Sequence, residues 1–153
     1  MATDYILFIH GVNTREERES PEYADRIFQK IQEDMPNRQA NLKKVAFYWG
    51  NVNLEAETKL KKQLQASPLW QEIWFREFRE NQLLQFAGDA SLYISRLIGS
   101  KVAKKLKADA LKEIQNPTPD DRLHLVTHSW GTVILFDILF AGRWDNPNVP
   151  GHE

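Results

Sequence analysis

Three short apolar runs along the chain predict three β-strands. They occupy residues 5–9, 44–50 and 123–126. Apolar runs without polar alternation are typical of strands that are covered on both faces, as in parallel sheets. Between the first two runs, Ser20-Pro21 resembles a helix start, and an apolar stripe follows at Tyr23, Ile27, Phe28 and Ile31. The order strand, helix, strand predicts a right-handed parallel unit.

About seventy residues separate the second apolar run from the third, which is far more than a simple crossover needs. Helical spacing predicts a polar helix over 53–65, a second helix from Ser67-Pro68, and a long one over 90–115. We therefore expect a single α/β domain over 1–153, with three α/β/α layers and a short parallel sheet. Its core covers 4–50 and 116–142, and a helical insertion of about 53–115 lies between strands 2 and 3.

Composition narrows the classes of function. The formal net charge of −1 and the pI of about 6.4 do not favour nucleic acid as a partner. There are no cysteines, no apolar run near the ~18 residues of a membrane span, and no room for a signal peptide before the first strand. Metal-ligand spacings and phosphate-binding glycine loops are also missing. We expect a soluble, cytoplasmic protein that needs neither cofactor nor metal.

The richest local pattern is Thr127-His128-Ser129-Trp130-Gly131, which joins the third strand to an apolar helix of about 132–141. A sharp strand-to-helix turn holds its middle residue in a strained backbone conformation, with the side chain pushed outwards. The residues two before and two after must be small, because the backbones nearly touch there. Gly131 meets this demand, and Thr127 meets it less well.

This pentapeptide resembles the nucleophile elbow of the α/β-hydrolase superfamily, with Thr127 in place of the usual glycine. A second similarity lies upstream, where His10-Gly11-Val12-Asn13 follows the first apolar run, like the His-Gly loop of that family. The resemblance implies an incomplete α/β-hydrolase fold with Ser129 as nucleophile. It also implies that the first strand is central, so that the strand order is 2-1-3. It also implies that the backbone N–H groups of Val12 and Trp130 form the oxyanion hole.

The histidines and acids near these motifs have competing interpretations. We expect His10 to fix its loop by hydrogen bonding rather than to act as a base, and His128 to point away from the nucleophile. Asp137 is expected to cap a helix or lie at the surface. Asn13 and Arg15 could line the mouth of the pocket, although turn-forming or solvated roles are at least as reasonable.

A serine nucleophile needs a base and an acid that orients the base. The family carries both on strands after the serine, whereas only 24 residues follow Ser129 here. That segment contains Asp145 and His152 in a loop-like context, and His152 is a less favoured base candidate. We expect the N-terminal part of a hydrolase that lacks its acid and base, with the third strand as an exposed edge that could form a homo-oligomer.

Three functions follow from this pattern. The first is hydrolysis of a small-molecule ester or lipid-like substrate through an acyl-enzyme on Ser129. The second is a non-catalytic binding or assembly module, and the third is a truncated product without a function of its own.

Two further features can be explained either by packing and solvation or by binding of a lipid. The aromatic stripe from Leu69 to Phe78 fits packing within the insertion better than binding of an acyl chain. The lysines of the last insertion helix fit a solvated face better than contact with a membrane surface.

Overall fold

The computed structural model describes residues 2–12, 14, 21–35, 41–72, 74–78, 88–89, 93 and 96–141. Its sheet contains β1 (Thr3–Ile9), β2 (Asn41–Phe47) and β3 (Arg122–Thr127). All pairings are parallel and the strand order is β2-β1-β3, which confirms the predicted topology. Ile9 lies between Phe47 and Thr127 in the register, so the carboxyl ends of the three strands meet at one edge.

Helices pack on both faces of β1 because its side chains alternate between two hydrophobic clusters. Tyr5, Leu7 and Ile9 join the larger cluster, which takes in Val102 and Leu106 of the insertion and Ile134 after β3. Ile6 and Phe8 pack on the other face against α1 (Asp25–Asp34) and the residues just before it. The central strand is thus buried on both sides, as its unbroken apolar run predicts.

β3 differs from the buried strand that its sequence predicts. Its first four residues are exposed, Leu123 and Leu125 among them. Within the described sheet β3 pairs only with β1 and forms an edge, so its outer side lacks the cover that β1 receives.

Two element boundaries shift for identifiable reasons. α1 begins at Asp25. Just before it, the Tyr23 hydroxyl donates hydrogen bonds to the carbonyl oxygens of Phe8 (2.7 Å) and Phe47 (2.8 Å). β2 ends at Phe47, because the Trp49 N–H turns to the imidazole of His10 instead of continuing the ladder. Both contacts lie at the carboxyl ends of β1 and β2.

The insertion is helical, as expected, but more broken. A 3₁₀ turn at Gly50–Asn53 leads into α2 (Leu54–Gln65), and a second at Pro68–Glu72 precedes α3 (Arg76–Phe78). The long helix α4 covers Arg96–Glu113. After β3 come α5 (Trp130–Phe136) and a π-helical turn at Asp137–Ala141.

Buried polar residues join parts of the insertion. The Nδ2 of Asn53 donates to Oδ1 of Asp89 at 3.1 Å, and both side chains are fully buried. Gly88 and Asp89 are themselves helical. Among the helices described, none is long and apolar enough to cross a membrane.

The carboxylate of Asp121 links the start of β3 to the start of β1 by hydrogen bonds. Its carboxylate accepts the N–H of Thr118 at 2.8 Å and the N–H of Thr3 at 2.7 Å. These two backbone hydrogen bonds hold the pKa of Asp121 below its ordinary value, because they favour the charged form. The carboxylate thus contributes stability above its unfolded-state pKa, and this contribution is lost as the pH falls through the lowered value.

We expect Asp121→Asn to lower the free energy of unfolding most above about pH 5, with the difference from wild type shrinking below about pH 4. Urea unfolding across this pH range measures the effect. The matched control is Asp120→Asn, which removes a neighbouring carboxylate and leaves both hydrogen bonds in place. A difference that stays constant with pH would contradict the assignment.

Candidate active site at the strand–helix corner

Ser129 occupies the corner between β3 and α5 in the conformation that the pentapeptide predicts. Its φ of 53° and ψ of −123° lie in a region that residues other than glycine rarely adopt, and the residue is exposed. The carbonyl of His128 accepts the Gly131 N–H at 3.0 Å, and the carbonyl of Ser129 accepts the Thr132 N–H at 3.0 Å. Two tight turns therefore overlap at the serine and hold its backbone.

Gly131 allows α5 to lie directly on the carboxyl end of β1. A Cβ at this position would lie 2.4 Å from the carbonyl oxygen of Ile9 and 2.6 Å from that of His10. The need for a small residue is as predicted, although the close partner is β1 rather than the preceding strand. At the other end of the motif, Thr127 is accommodated by a 2.8 Å hydrogen bond between its hydroxyl and that of Thr132.

Gly11 brings the loop after β1 against the serine. A Cβ at Gly11 would lie 2.9 Å from the Cβ of Ser129, closer than such atoms approach in proteins. Val12 and Trp130, the residues whose N–H groups are expected to form the oxyanion hole, both pack on the larger hydrophobic cluster. The structure thus brings the two sequence motifs together, and the aim of the two N–H groups stays a prediction.

His10 is buried, and both of its ring nitrogens are occupied. Nε2 accepts the N–H of Trp49 at 3.2 Å, which leaves the ring proton on Nδ1, 2.6 Å from the carbonyl oxygen of Gly11. The ring also stacks on the Trp49 indole, with centroids 5.2 Å apart and planes 4° apart. Neither nitrogen is left to take a proton from a serine, so the geometry agrees with the loop-fixing role.

The other described histidines lie differently from one another. The Nδ1 of His128 lies 3.3 Å from the point where a Gly11 Cβ would be, and the direction of this side chain relative to the Ser129 hydroxyl stays a prediction. His124 is placed three residues before the end of β3, and its Nε2 lies 2.8 Å from Oδ1 of Asp4. His124 is therefore directed to the central strand, remote from Ser129.

Asp137 stands at the C-cap position of α5, as one of the two sequence interpretations has it, and it is buried rather than at the surface. Its Oδ2 accepts the hydroxyl of Tyr93 at 3.1 Å, and the Tyr93 ring meets Trp130 edge-on, with centroids 6.4 Å apart. The insertion thus touches the serine-bearing segment at both ends of α5. In the sequence, an aspartate within an otherwise apolar helix indicates a buried polar contact. Tyr93 has the spacing of an apolar helix residue and does not indicate this contact.

Several sequence candidates are outside the described residues, namely Asn13, Arg15, Asp145 and His152. The part of the chain that is described holds no group of three or more His, Cys, Asp or Glu side chains that could bind a metal ion.

Replacing Gly131 with alanine should disrupt the corner. We expect Gly131→Ala to lower the free energy of unfolding by at least ~2 kcal/mol, because the new Cβ meets backbone atoms that have little freedom to move. Gly88→Ala is the matched control, since its Cβ would meet only the flexible side chain of Glu57 at 3.8 Å. That helical position should instead gain ~0.5–1 kcal/mol. Equal effects in urea unfolding would contradict this account of the corner.

The backbone strain at Ser129 can be tested by comparing the stabilities of two substitutions at this position. We expect Ser129→Gly to be ~1 kcal/mol more stable than Ser129→Ala, because only glycine adopts this conformation without strain. Ser67, which lacks a positive φ, serves as the control site. There the alanine variant should be the more stable one, and the same order at both sites would contradict strain at Ser129.

Comparisons with models of known protein families, with curated proteins and with solved structures give no match to this chain. The case for a function therefore rests on the arrangement of residues at the corner between β3 and α5.

Proposed function

We propose that this protein is a serine hydrolase that cleaves an ester through an acyl-enzyme on Ser129, with an α/β-hydrolase-like fold. One observation supports this above all: an exposed serine at positive φ has the Gly11 loop packed directly on its Cβ. Two sequence motifs more than a hundred residues apart are needed to build that contact. A serine in an ordinary βα turn needs neither the strain nor the glycine loop.

The proposed reaction begins when Oγ of Ser129 attacks the ester carbonyl and gives up its proton to a base. The carbonyl electron pair moves to oxygen, where the N–H groups of Val12 and Trp130 stabilise the negative charge. One such donor is worth ~3 kcal/mol at the barrier. The intermediate then expels the alcohol, which takes the proton back, and water releases the acid from the acyl-enzyme in a second cycle of the same steps.

The base is the part of this mechanism that the described residues constrain most. His10 has no free ring nitrogen, and His124 is bound to Asp4 on the strand itself. We propose that the base lies outside the described residues, with His152 as the candidate on this chain. His128, which borders the Gly11 loop, is the alternative within them.

Labelling with a fluorophosphonate probe, detected by intact mass, tests the nucleophile. We expect one adduct on the wild type, none on Ser129→Ala, and full labelling of the control Ser67→Ala. Gly11→Ala should remain folded but react at least ~10-fold more slowly, because its Cβ displaces the loop that stabilises the oxyanion. His128→Asn and His152→Asn then show which imidazole is needed.

A folded wild type that takes up no probe would contradict the catalytic proposal. The second candidate, a non-catalytic binding or assembly module, would then remain. It is favoured by one observation, the exposed edge that β3 offers with Leu123 and Leu125 within the described sheet.

A further inference from the structure

Tyr93, a residue of the insertion, contacts the serine-bearing segment at two places. Its side chain is 1% exposed. The ring meets the indole of Trp130 edge-on, with centroids 6.4 Å apart and planes 89° apart, and the hydroxyl donates to Oδ2 of Asp137 at 3.1 Å. Trp130 is the first residue of α5 and Asp137 is its C-cap, and this spacing of two turns places both on one side of the helix. One buried side chain therefore spans α5 along its length.

The indole of Trp130 depends on packing for its position. Its Nε1 is buried, and it has no hydrogen-bond acceptor within the described part of the chain. Most buried indole N–H groups have such a partner, which fixes the orientation of the ring. At Trp130 that task is left to the Tyr93 ring and to the larger hydrophobic cluster on which the indole packs. Tyr93 is therefore part of what orients the residue next to Ser129.

The hydrogen bond to Asp137 fixes Tyr93 in turn. Asp137 is 8% exposed, and hydrogen bonds to a carboxylate are stronger than those between neutral groups. Burial adds to the cost of breaking such a bond, because water does not replace the lost partner. Asp137 and Trp130 belong to the same helical segment, so the bond keeps the Tyr93 ring at a fixed height beside the indole.

We propose that Tyr93 is a positioning residue for the reaction at Ser129, because it holds the first turn of α5 and with it the N–H of Trp130. The inference rests on the proposed function of Ser129, in which this N–H stabilises the oxyanion. Trp130 carries both the indole and the N–H, so a shift of the ring moves the donor. The oxyanion forms only in the transition state, so a displaced donor slows the chemical step and leaves binding unchanged. A tyrosine that only stabilised the fold would change neither quantity in folded protein.

Labelling by a fluorophosphonate probe, followed over time at several probe concentrations, separates the chemical step from binding. We expect Tyr93→Phe to lower the rate constant at saturating probe ~10-fold and to keep the half-saturating concentration, because small displacements of a catalytic group cost rates of this order. Tyr5→Phe is the matched control, since it removes the hydroxyl of another buried tyrosine, near the amino end of β1. Circular dichroism shows that each variant is folded before labelling.

Substitutions of Asp137 test whether the hydrogen bond is the cause. Asp137→Ala should reproduce the loss of rate, whereas Asp137→Asn, which keeps an acceptor for the hydroxyl, should lose less. Tyr93→Phe combined with Asp137→Ala should lose no more than either change alone, because both remove the same bond. Equal rates for Tyr93→Phe and the wild type, or an equal loss in Tyr5→Phe, would overturn the inference and leave Ser129 as the nucleophile. A folded wild type that takes up no probe would overturn both.

Discussion

The close approach of α5 to the carboxyl end of β1 is the contact on which the candidate site depends. Gly131 lies against the carbonyls of Ile9 and His10, and no side chain beyond hydrogen fits between them. The chain that leaves β3 must turn within two residues to reach this position, and that turn gives Ser129 its positive φ. One steric constraint thus fixes the helix, strains the serine and exposes it.

The loop after β1 is held by a second set of contacts. His10 stacks on Trp49 and bonds to its N–H, while Tyr23 bridges the carbonyls that end β1 and β2. These aromatic groups replace the hydrogen bonds that the strands can no longer make at their ends. His10 and Trp49 are buried and Tyr23 is half-buried, so the chain that leads to Gly11 is held by several contacts at once.

The insertion contacts the serine-bearing segment through Tyr93, whereas other residues of the insertion are exposed. Tyr93 reaches both Trp130 and Asp137, so α5 is bounded by the insertion as well as by the sheet. In the aromatic stripe of the insertion, Trp70 is buried, as packing within the insertion predicts, whereas Leu69, Trp74, Phe75 and Phe78 are exposed.

The sequence by itself indicated the three strands, the parallel sheet and the corner at Ser129, because these follow from local apolar runs and from the size limits of a tight turn. The strand order came from the resemblance of the first strand to the central strand of a known fold. It also indicated the loop-fixing role of His10. Only the tertiary structure decided that Asp137 is buried against Tyr93, that Leu123 and Leu125 lie exposed, and that most of the stripe from Leu69 to Phe78 is exposed. Burial depends on which elements meet across the fold, and an apolar stripe of helical spacing does not reveal whether another element covers it.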